Sequence, residues 1–586
     1  MKRIVTVTIV LVALMFSVNA RAQEVAVAPG YGTLNDAVSQ YGGTKTYKLQ
    51  AGGWYGLSAV LNNVDPLVVI GEVPAAGQMP AIIQTGSNPD GSTFGAMFAV
   101  GADVTMKNVF IVNADLNDSR GAIVFNQLSD SRITLDAVTV DPIGSWMLIN
   151  SNANYANTHL TNSLFMRHSS GSSGIYDYPF LNYAGASGYD TLYVENCTFL
   201  DMGFSFYNAL VSFQRGSEAP DNFIWFNHNS FIFGKSDLLN AFYTKSTFFT
   251  NNLMWEWGAQ PYTNDFSIWF LNFGDQYPNN TRTCMIKADT LKSNGISEAF
   301  PSQRKYFVAY NYNFRDPRIN DLIKVGADAG HTSYTQYLVT PPEFKSSSRE
   351  AVMFDDKTNF PYFLAVKNTE DQPNTDPKFV DQKIYALTDS AVAWANASTK
   401  LFWGFPEGTF PPRESWANYY YNTDTADGFP VTWPRFNGAY TNSSLLTGSI
   451  EGLPLGDLNW YPAQKTLWQN NQAKVMAHIL SLDPSVINIT AIRDAGRSAL
   501  SFSLEQNYPN PFNPSTEIKY SVPSASVVSL KIFNLLGQEI TTLVNQEQKA
   551  GTYSVNFNAS KLSSGMYIYR LQAGENTITK KMTLIK

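Results

Sequence analysis

Cysteine is scarce in this chain of 586 residues, which contains only Cys197 and Cys284. Two cysteines so far apart in sequence cannot form the disulfide framework that stabilises many small exported domains. Charged residues are also few, at 15% of the chain, against roughly a quarter in an average globular protein. The folded state must therefore be stabilised mainly by packing.

Clusters of basic residues are missing as well. The 41 Lys and Arg are outnumbered by 48 Asp and Glu, for a net charge of −7. Binding to nucleic acid or to anionic lipid depends on clustered Lys and Arg, so neither is expected as a partner. The five His are scattered, and no His, Cys and carboxylate set has metal-ligand spacing. The sequence therefore predicts no metal site.

Long hydrophobic runs are limited to the N-terminus. The apolar run Ile4–Val18 is shorter than the ~20 residues that a membrane span requires. It follows two basic residues and precedes an Ala-Arg-Ala sequence that ends at Ala22, an order typical of secretory signal peptides. We predict a signal peptide over residues 1–22, cleaved after Ala22, rather than a membrane anchor. No later segment is predicted to span a membrane.

Aromatic residues are abundant, at 14%, and many lie in a repeated block. The block reads apolar, any, apolar, any, Asn, two residues, then a large apolar residue, as in Val104–Ile111 and Leu192–Phe199. Two weaker copies carry Ala137 and His228 at the Asn position. Successive copies are separated by 29, 25, 34, 32, 23 and 60 residues, and the column contains Asn108, Asn162, Asn196, Asn251 and Asn311.

Spacings of this size are typical of a coil that returns to the same side once per repeat. We therefore predict a right-handed parallel β-helix over residues 23–400, with a pair of strands per coil and one degenerate turn hidden in the longest interval. Asn tolerates the left-handed bend, and stacked amides can bond from coil to coil. An Ig-like sandwich is the alternative, but its strands lack a shared register of this kind.

The start of the repeats resembles the pectin lyase-like β-helix superfamily. The resemblance is carried by Tyr31–Val38, which looks like a capping helix, by the Gly-Trp-Tyr turn that ends at Tyr55, and by Leu67–Glu72. It implies a β-helix fold and says little about a reaction. Residues 401–490 are predicted to cover the far end of the β-helix with irregular chain and one helix, Ala463–Leu482, because exposed strand edges invite aggregation.

Residues 501–586 follow a linker at residues 491–500. Their short runs of alternating apolar and polar residues predict the strands of an antiparallel sandwich. The stretch Asn507–Thr516 and the terminal Lys580–Lys586 resemble type A C-terminal sorting domains of type IX secretion. The resemblance implies a partner in the type IX secretion machinery, passage across an outer membrane, and a mature protein that is secreted or attached to the cell surface. A generic Ig-like binding domain is the alternative.

Catalytic candidates follow from the repeat register. Lyases of the superfamily generally need acidic calcium ligands and an Arg or Lys base on adjacent coils, because a uronate carboxylate must be neutralised before its α-proton leaves. Five residues past the Asn position lie Arg167 and Asp201, with His168 adjacent. These three are the catalytic candidates, and a plain surface ion pair is the alternative. No cofactor is expected, and calcium only if the protein is a lyase.

A second column, three residues before the Asn position, contains Tyr193, Trp225 and Phe248. On consecutive coils these rings should stack, with strands ~4.8 Å apart. A solvent-facing ladder of this kind predicts carbohydrate binding, whereas a covering segment would make it part of the core.

The sequence is compatible with two functions. The first is an exported β-helix that binds polysaccharide or has an adhesive or structural role. The second is an extracellular polysaccharide lyase or glycoside hydrolase.

Overall fold

We analysed a computed structural model of the protein. It describes residues 23–585 except for 116–120, 122, 142, 144–146, 152, 154–155, 169–179, 184–188, 203–206, 209–221, 235–238, 241–243, 258–285, 288–300, 319–353, 369–374, 387, 390–435, 488, 490–502, 505, 508, 523–525, 535–536, 549–550 and 575. The chain forms two compact units, Met1–Ile487 and Asn488–Lys586. The signal peptide predicted for residues 1–22 lies outside the described residues.

The first unit is a parallel β-helix, as predicted. Three parallel sheets run along it, and each complete coil contributes one strand to each sheet. The first sheet contains Glu24–Val27, Thr46–Leu49, Leu67–Gly71, Val104–Lys107, Arg132–Asp136, Asn157–Thr161, Thr191–Glu195, Phe223–Asn227, Ser246–Thr250, Lys305–Ala309 and Phe363–Val366.

The second sheet contains Trp54–Gly56, Ala81–Gln84, Val109–Val112, Thr139–Val140, Leu164–His168, Thr198–Met202, Ser230–Gly234, Leu253–Trp257 and Tyr312–Phe314. The third contains Leu61–Asn63, Ala96–Val100, Ile123–Gln127, Met147–Ser151, Leu181–Tyr183, Tyr207–Asn208, Leu239–Asn240 and Ile286–Lys287. The sequence pattern predicted only a pair of strands per coil and missed this third sheet. Among the described residues, no Asn with a positive φ flanks its strands.

The core of the β-helix is built from side chains that stack on their equivalents in neighbouring coils. Phe165, Phe199 and Phe231 form one such inner stack, with ring centroids 5.2 and 5.0 Å apart. All three are fully buried. Because alternate residues of each strand point inward, a single register error would turn the whole set outward.

The bend between the first and second sheets is left-handed in every copy of the repeat. Positive φ values of 53–59° occur there at Asn108, Ala137, Asn162, Asn196, His228 and Asn251. In the next coil the bend residue is Tyr310, with φ 57°, because Ala309 pairs with Thr250. Asn311 therefore lies one position past the predicted column, and its assignment to that column is wrong.

Asn311 belongs instead to an inner ladder of amides directly after the bend. The ladder contains Asn229, Asn252, Asn311 and Asn368. The Oδ1 of Asn252 accepts from the backbone N–H and the Nδ2 of Asn229 at 2.9 and 3.1 Å. Asn311 Oδ1 accepts the same two bonds from Asn252, and Asn368 Oδ1 accepts them from Asn311, at 2.9–3.2 Å. Each amide thus satisfies the backbone of the coil before it.

The long interval after Asn251 holds no additional turn. Strand Ser246–Thr250 pairs directly with Lys305–Ala309, so the interval is a single coil with long insertions. Residues 258–285 and 288–300 of this interval lie outside the described residues. The prediction of a hidden degenerate coil is therefore wrong.

Helix α1, Thr33–Tyr41, lies between the first two strands of the first sheet and buries Leu34 and Ala37 in the common core. It starts after Gly32, whose φ of 75° is readily available to glycine. At Gly71, a Cβ would lie 2.1 Å from the carbonyl oxygen of Asn108. Only glycine therefore fits where these coils approach each other.

The described residues 436–487 are here called the cover. They contain the short 3₁₀ helices Leu445–Thr447 and Leu458–Trp460 and the helix α2, Pro462–Leu480, which is close to its predicted bounds. The cover contacts the bends of successive coils, from Asn196 to Tyr310, along one flank. Residues 401–435 lie outside the described residues, so the prediction that 401–490 cover the far end of the β-helix stays a prediction. Within the described residues, no helix is long and apolar enough to span a membrane.

The second unit consists of two antiparallel sheets. One contains Ser503–Leu504, Ser515–Val522 and Gly551–Asn558, and the other contains Glu539–Gln548, Ser526–Phe533, Gly565–Ala573 and Asn576–Leu584. Their inner faces share one apolar core. Strand Glu539–Gln548 was not predicted, because it is an edge strand with mostly polar, exposed residues.

We predict that Asn252→Ala destabilises the first unit by about 2–4 kcal/mol, since it leaves the buried N–H of Asn229 without its acceptor. Denaturant unfolding of the full chain measures this change. Asn62→Ala removes an exposed amide that bonds only Val60 at 3.3 Å, and serves as the control. Equal effects of the two substitutions would contradict the role assigned to the ladder.

Candidate binding face and its cover

The outward face of the first sheet carries one column of equivalent positions along the β-helix. Thr105 pairs with Thr134, and the column continues from coil to coil through parallel pairing. Its middle members change from polar to aromatic. The column runs through Glu24, Thr46, Val68, Thr105, Thr134, His159, Tyr193, Trp225, Phe248, Phe307 and Leu364.

The predicted aromatic ladder is present as a stack. The rings of Tyr193 and Trp225 are 6.0 Å apart and nearly parallel, and Trp225 and Phe248 are 5.7 Å apart. Each of the three side chains is only 1% exposed. Of the two alternatives for the ladder, burial under a covering segment is confirmed and exposure to solvent is wrong, so these rings are not accessible to a sugar in this structure.

A buried carboxylate lies beside the stack. Glu195 accepts hydrogen bonds from the Tyr193 hydroxyl, from Trp225 Nε1 at 3.1 Å and from Asn227 Nδ2 at 2.9 Å. Helix α2 supplies another donor, Gln472 Nε2, at 2.8 Å. Burial raises the pKa of Glu195 above its usual value, although all of these donors favour the charged form.

The cover is attached to the next coil through a buried ionic contact. His228 Nε2 contacts the Glu451 carboxylate, and His228 Nδ1 lies 3.1 Å from the carbonyl oxygen of Gly456. The other oxygen of Glu451 accepts from Asn251 Nδ2 at 3.1 Å. Burial alone would lower the pKa of His228, but Glu451 raises it above its usual value.

A second buried carboxyl group of the cover contacts the second sheet. Asp457 Oδ2 accepts from the Thr198 hydroxyl at 2.7 Å, and its Oδ1 accepts from the backbone N–H of Asn459 at 2.8 Å. The N–H of Asp457 donates to Ser230 Oγ at 2.9 Å. Burial raises the pKa of Asp457 to about 7.

The part of this outward face that contains Thr105, Thr134 and His159 is here called the open face. Thr105, Thr134 and His159 are partly exposed, and the His159 ring stacks on Tyr193 at 5.6 Å. Burial and the nearby Arg132 lower the pKa of His159 to about 4, so its imidazole is neutral at physiological pH. The open face therefore ends in a neutral ring where the buried stack begins.

Arg132 borders this open face on the strand beside His159. Its backbone N–H donates to Asp103 Oδ1 at 2.8 Å. Its Nε is buried and has no hydrogen-bond partner among the described residues. On the other side, Lys107 forms an ion pair with Asp136 at 2.6 Å. The open face thus combines threonine hydroxyls with a guanidinium that has an unused donor.

The catalytic candidates lie on the second sheet. The strands that carry Arg167 and Asp201 pair in parallel, with His168 opposite Met202, so Arg167 and Asp201 occupy equivalent positions on neighbouring coils. Their side chains and that of His168 lie outside the described part of the chain. Their catalytic role stays a prediction.

Sequence reasoning missed the buried Glu256, which occupies the equivalent position further along this column. Its φ is 52° and it is fully buried. Its Oε1 accepts from the N–H of Asp316, whereas its Oε2 has no partner among the described residues. Burial raises its pKa to about 8. Arg315, not Asp316, is its neighbour on the next coil, as the pairing of Trp255 with Phe314 shows.

In the described ranges, no group of three or more His, Cys, Asp or Glu could hold a metal ion. The calcium that a lyase would need remains untested.

Comparison with known proteins identifies the C-terminal module. Residues 506–586 match the family described as the secretion system C-terminal sorting domain, which confirms the predicted type IX sorting module. No curated protein matches the chain. Among solved structures, the PL6 family alginate lyase AlyGC is similar at 13% identity and a TM-score of 0.25, over 41% of this chain and 36% of that chain. The chain thus spans about a third of that protein, and a similarity of this size carries no functional argument.

We predict that Trp225→Ala destabilises the first unit by about 3–5 kcal/mol, because it removes a fully buried aromatic side chain. Thr134→Ala, in the same column but partly exposed, should change stability by no more than about 0.5 kcal/mol. Thermal unfolding of both variants measures the difference. A Trp225→Ala variant as stable as the parent would show that the ring is not part of the core.

Proposed function

We propose that this type IX secreted protein binds polysaccharide through the open part of the outward face of its first sheet. The binding residues are Thr105, Thr134 and His159 in one column, with Arg132 at the border. The sorting module accounts for delivery to the outside of the cell, where extended polysaccharides are available as ligands.

The geometry of the open face supports an extended ligand. Equivalent side chains repeat on strands about 4.8 Å apart, a spacing close to the length of one sugar residue in an extended chain. Thr105 and Thr134 offer hydroxyl groups that both donate and accept. Successive sugars could therefore meet equivalent groups along the axis of the β-helix.

The neutral ring of His159 is the observation that carries the proposal. Its pKa of about 4 keeps the imidazole uncharged, so that it offers a flat face and one N–H donor. It stacks on Tyr193, which fixes its orientation. Arg132, on the strand paired with that of His159, is partly exposed, and its guanidinium could donate to a sugar hydroxyl or carboxylate.

We predict that His159→Ala and Arg132→Gln each weaken polysaccharide binding by about tenfold, the equivalent of one good hydrogen bond or stacking contact. Affinity electrophoresis of the full chain against laminarin, xylan and alginate measures the retention. Asn62→Ala, on the third sheet, is the control. Unchanged retention in both variants, with unchanged melting temperatures, would contradict this binding face.

Incubation of the full chain with alginate tests the enzymatic hypothesis. Release of unsaturated products from alginate, lost in Arg167→Ala, would identify a lyase instead of a binding protein.

Export is tested separately by truncation. We predict that a chain ending at residue 500 accumulates in the periplasm of a host with type IX secretion, because it lacks the sorting module. Fractionation and immunoblotting locate the protein, with the full chain as control. Efficient export of the truncated chain would show that the module is dispensable.

A further inference from the structure

We propose that the cover is a pH-dependent gate, closed at mildly acidic pH and opening as the pH rises, which extends the open binding face from His159 onto Tyr193. The ligand of the extended face rests on the proposed function. The gate itself depends only on contacts between the cover and the coils.

When Glu451 is ionised, the contacts of His228 place an acceptor at each ring nitrogen, which calls for a proton on both. One nitrogen faces a carboxylate oxygen of Glu451 and the other faces the carbonyl oxygen of Gly456. Both partners are acceptors, and a neutral imidazole has only one N–H. A neutral ring would leave one buried acceptor of the cover without a donor, which is costly in a site that water does not reach.

Burial disfavours the charged form of His228, but two carboxyl groups favour it, Glu451 from the cover and Glu195 from the preceding coil. The neutral Trp468 ring of helix α2 lies nearly perpendicular to the imidazole, at 6.1 Å. The next coil contributes the neutral Asn251, which binds the second oxygen of Glu451. The His228 imidazolium therefore has its compensating carboxylate on the segment that would move.

Asp457 adds a second proton-dependent contact between the cover and the coils. It is 2% exposed and faces Thr198 from the coil and Asn459 from the cover. The nearby charged or ionisable groups are Lys465 of helix α2 and the buried thiol of Cys197. Ionisation of Asp457 thus places a charge in the contact between the two parts.

The direction of the pH effect follows from the titration of these groups in the two states. In the open state Asp457 meets water, and its pKa returns from about 7 toward 3.8. The closed state therefore binds the Asp457 proton more tightly than the open state does. The resulting stabilisation of the closed state is lost as the pH rises from about 4 to about 7. The raised pKa of Glu195 acts in the same direction.

His228 also stabilises the closed state at low pH. This stabilisation is complete below pH 6.5, the usual pKa of histidine, and is lost as the pH rises through the raised pKa of His228. Lys465 acts in the opposite direction, because burial lowers its pKa. That effect operates only between the lowered pKa and 10.5, the ordinary value for lysine.

Opening would uncover polar groups that suit a sugar. Gln472 Nε2 lies 2.8 Å from Glu195 and 3.4 Å from the Tyr193 hydroxyl, where a sugar hydroxyl could bond instead. Helix α2 buries only Trp468, Val475, Met476 and Ile479. Its attachment therefore depends strongly on the polar contacts described above.

Hydrogen exchange of the full chain tests the gate without any ligand. After correction for the intrinsic pH dependence of exchange, we expect protection of helix α2 to fall as the pH rises from about 5 to about 8, by up to tenfold per pH unit for each titrating group. Asp457→Asn cannot ionise and should reduce this slope. Protection that does not change with pH, or an equal slope in Asp457→Asn, overturns the proposal.

Two further variants guard against misfolding and general charge effects. Glu451→Gln removes the partner of the His228 imidazolium and should lower helix α2 protection at acidic pH. Lys474→Gln removes an exposed charge from helix α2 itself, and should behave as the parent protein. A pH slope changed equally by Lys474→Gln would overturn the assignment to the buried groups.

Laminarin retention, measured across the same pH range, separates the two proposals. Retention that rises with pH in the parent but less in Asp457→Asn supports both the gate and its ligand. If the protection of helix α2 depends on pH but laminarin retains the protein at no pH, the result supports the gate and contradicts polysaccharide binding. Retention with no change in helix α2 protection contradicts the gate alone.

Discussion

Superposition of successive coils is the constraint on which the rest of the structure depends. Parallel pairing keeps equivalent residues one above another, as in the register that joins Tyr193 to Trp225 and Trp225 to Phe248. The inner amide ladder maintains this register, because each Asn side chain satisfies the backbone of the preceding coil. A side-chain column can therefore act as one extended surface, although its members are far apart in sequence.

The cover converts part of that surface into an interior. Its contacts with the coils are unusual because they concentrate buried ionisable groups, including His228, Glu451 and Asp457, where an apolar seam would be more stable. Such groups make the closed state sensitive to protons in a way that the apolar core of the β-helix is not. The open face ending at His159 is independent of this closure. Binding at the open face and gating are thus physically separable.

The repeated Asn revealed most of the fold, because a left-handed bend and a buried amide ladder both select the same residue. That coincidence also explains the error at Asn311. Where Asn251 and Asn252 are adjacent, both columns are occupied, but in the following coil the bend is Tyr310 and only the ladder has Asn. The sequence left burial of Tyr193 as one of two alternatives and could not decide between them, since Gln472 of the cover lies 279 residues away. The third sheet has no such Asn bend among its described positions, so the sequence carried no comparable signal for it.

The direct pairing of Ser246–Thr250 with Lys305–Ala309 means that the pitch of the β-helix is independent of the length of chain inserted between two of its strands. Loops on the outside can therefore lengthen or shorten during evolution without disturbing the coils above and below. A secreted protein of this design can acquire new surface specificities by insertion, while its scaffold and its export signal remain the same.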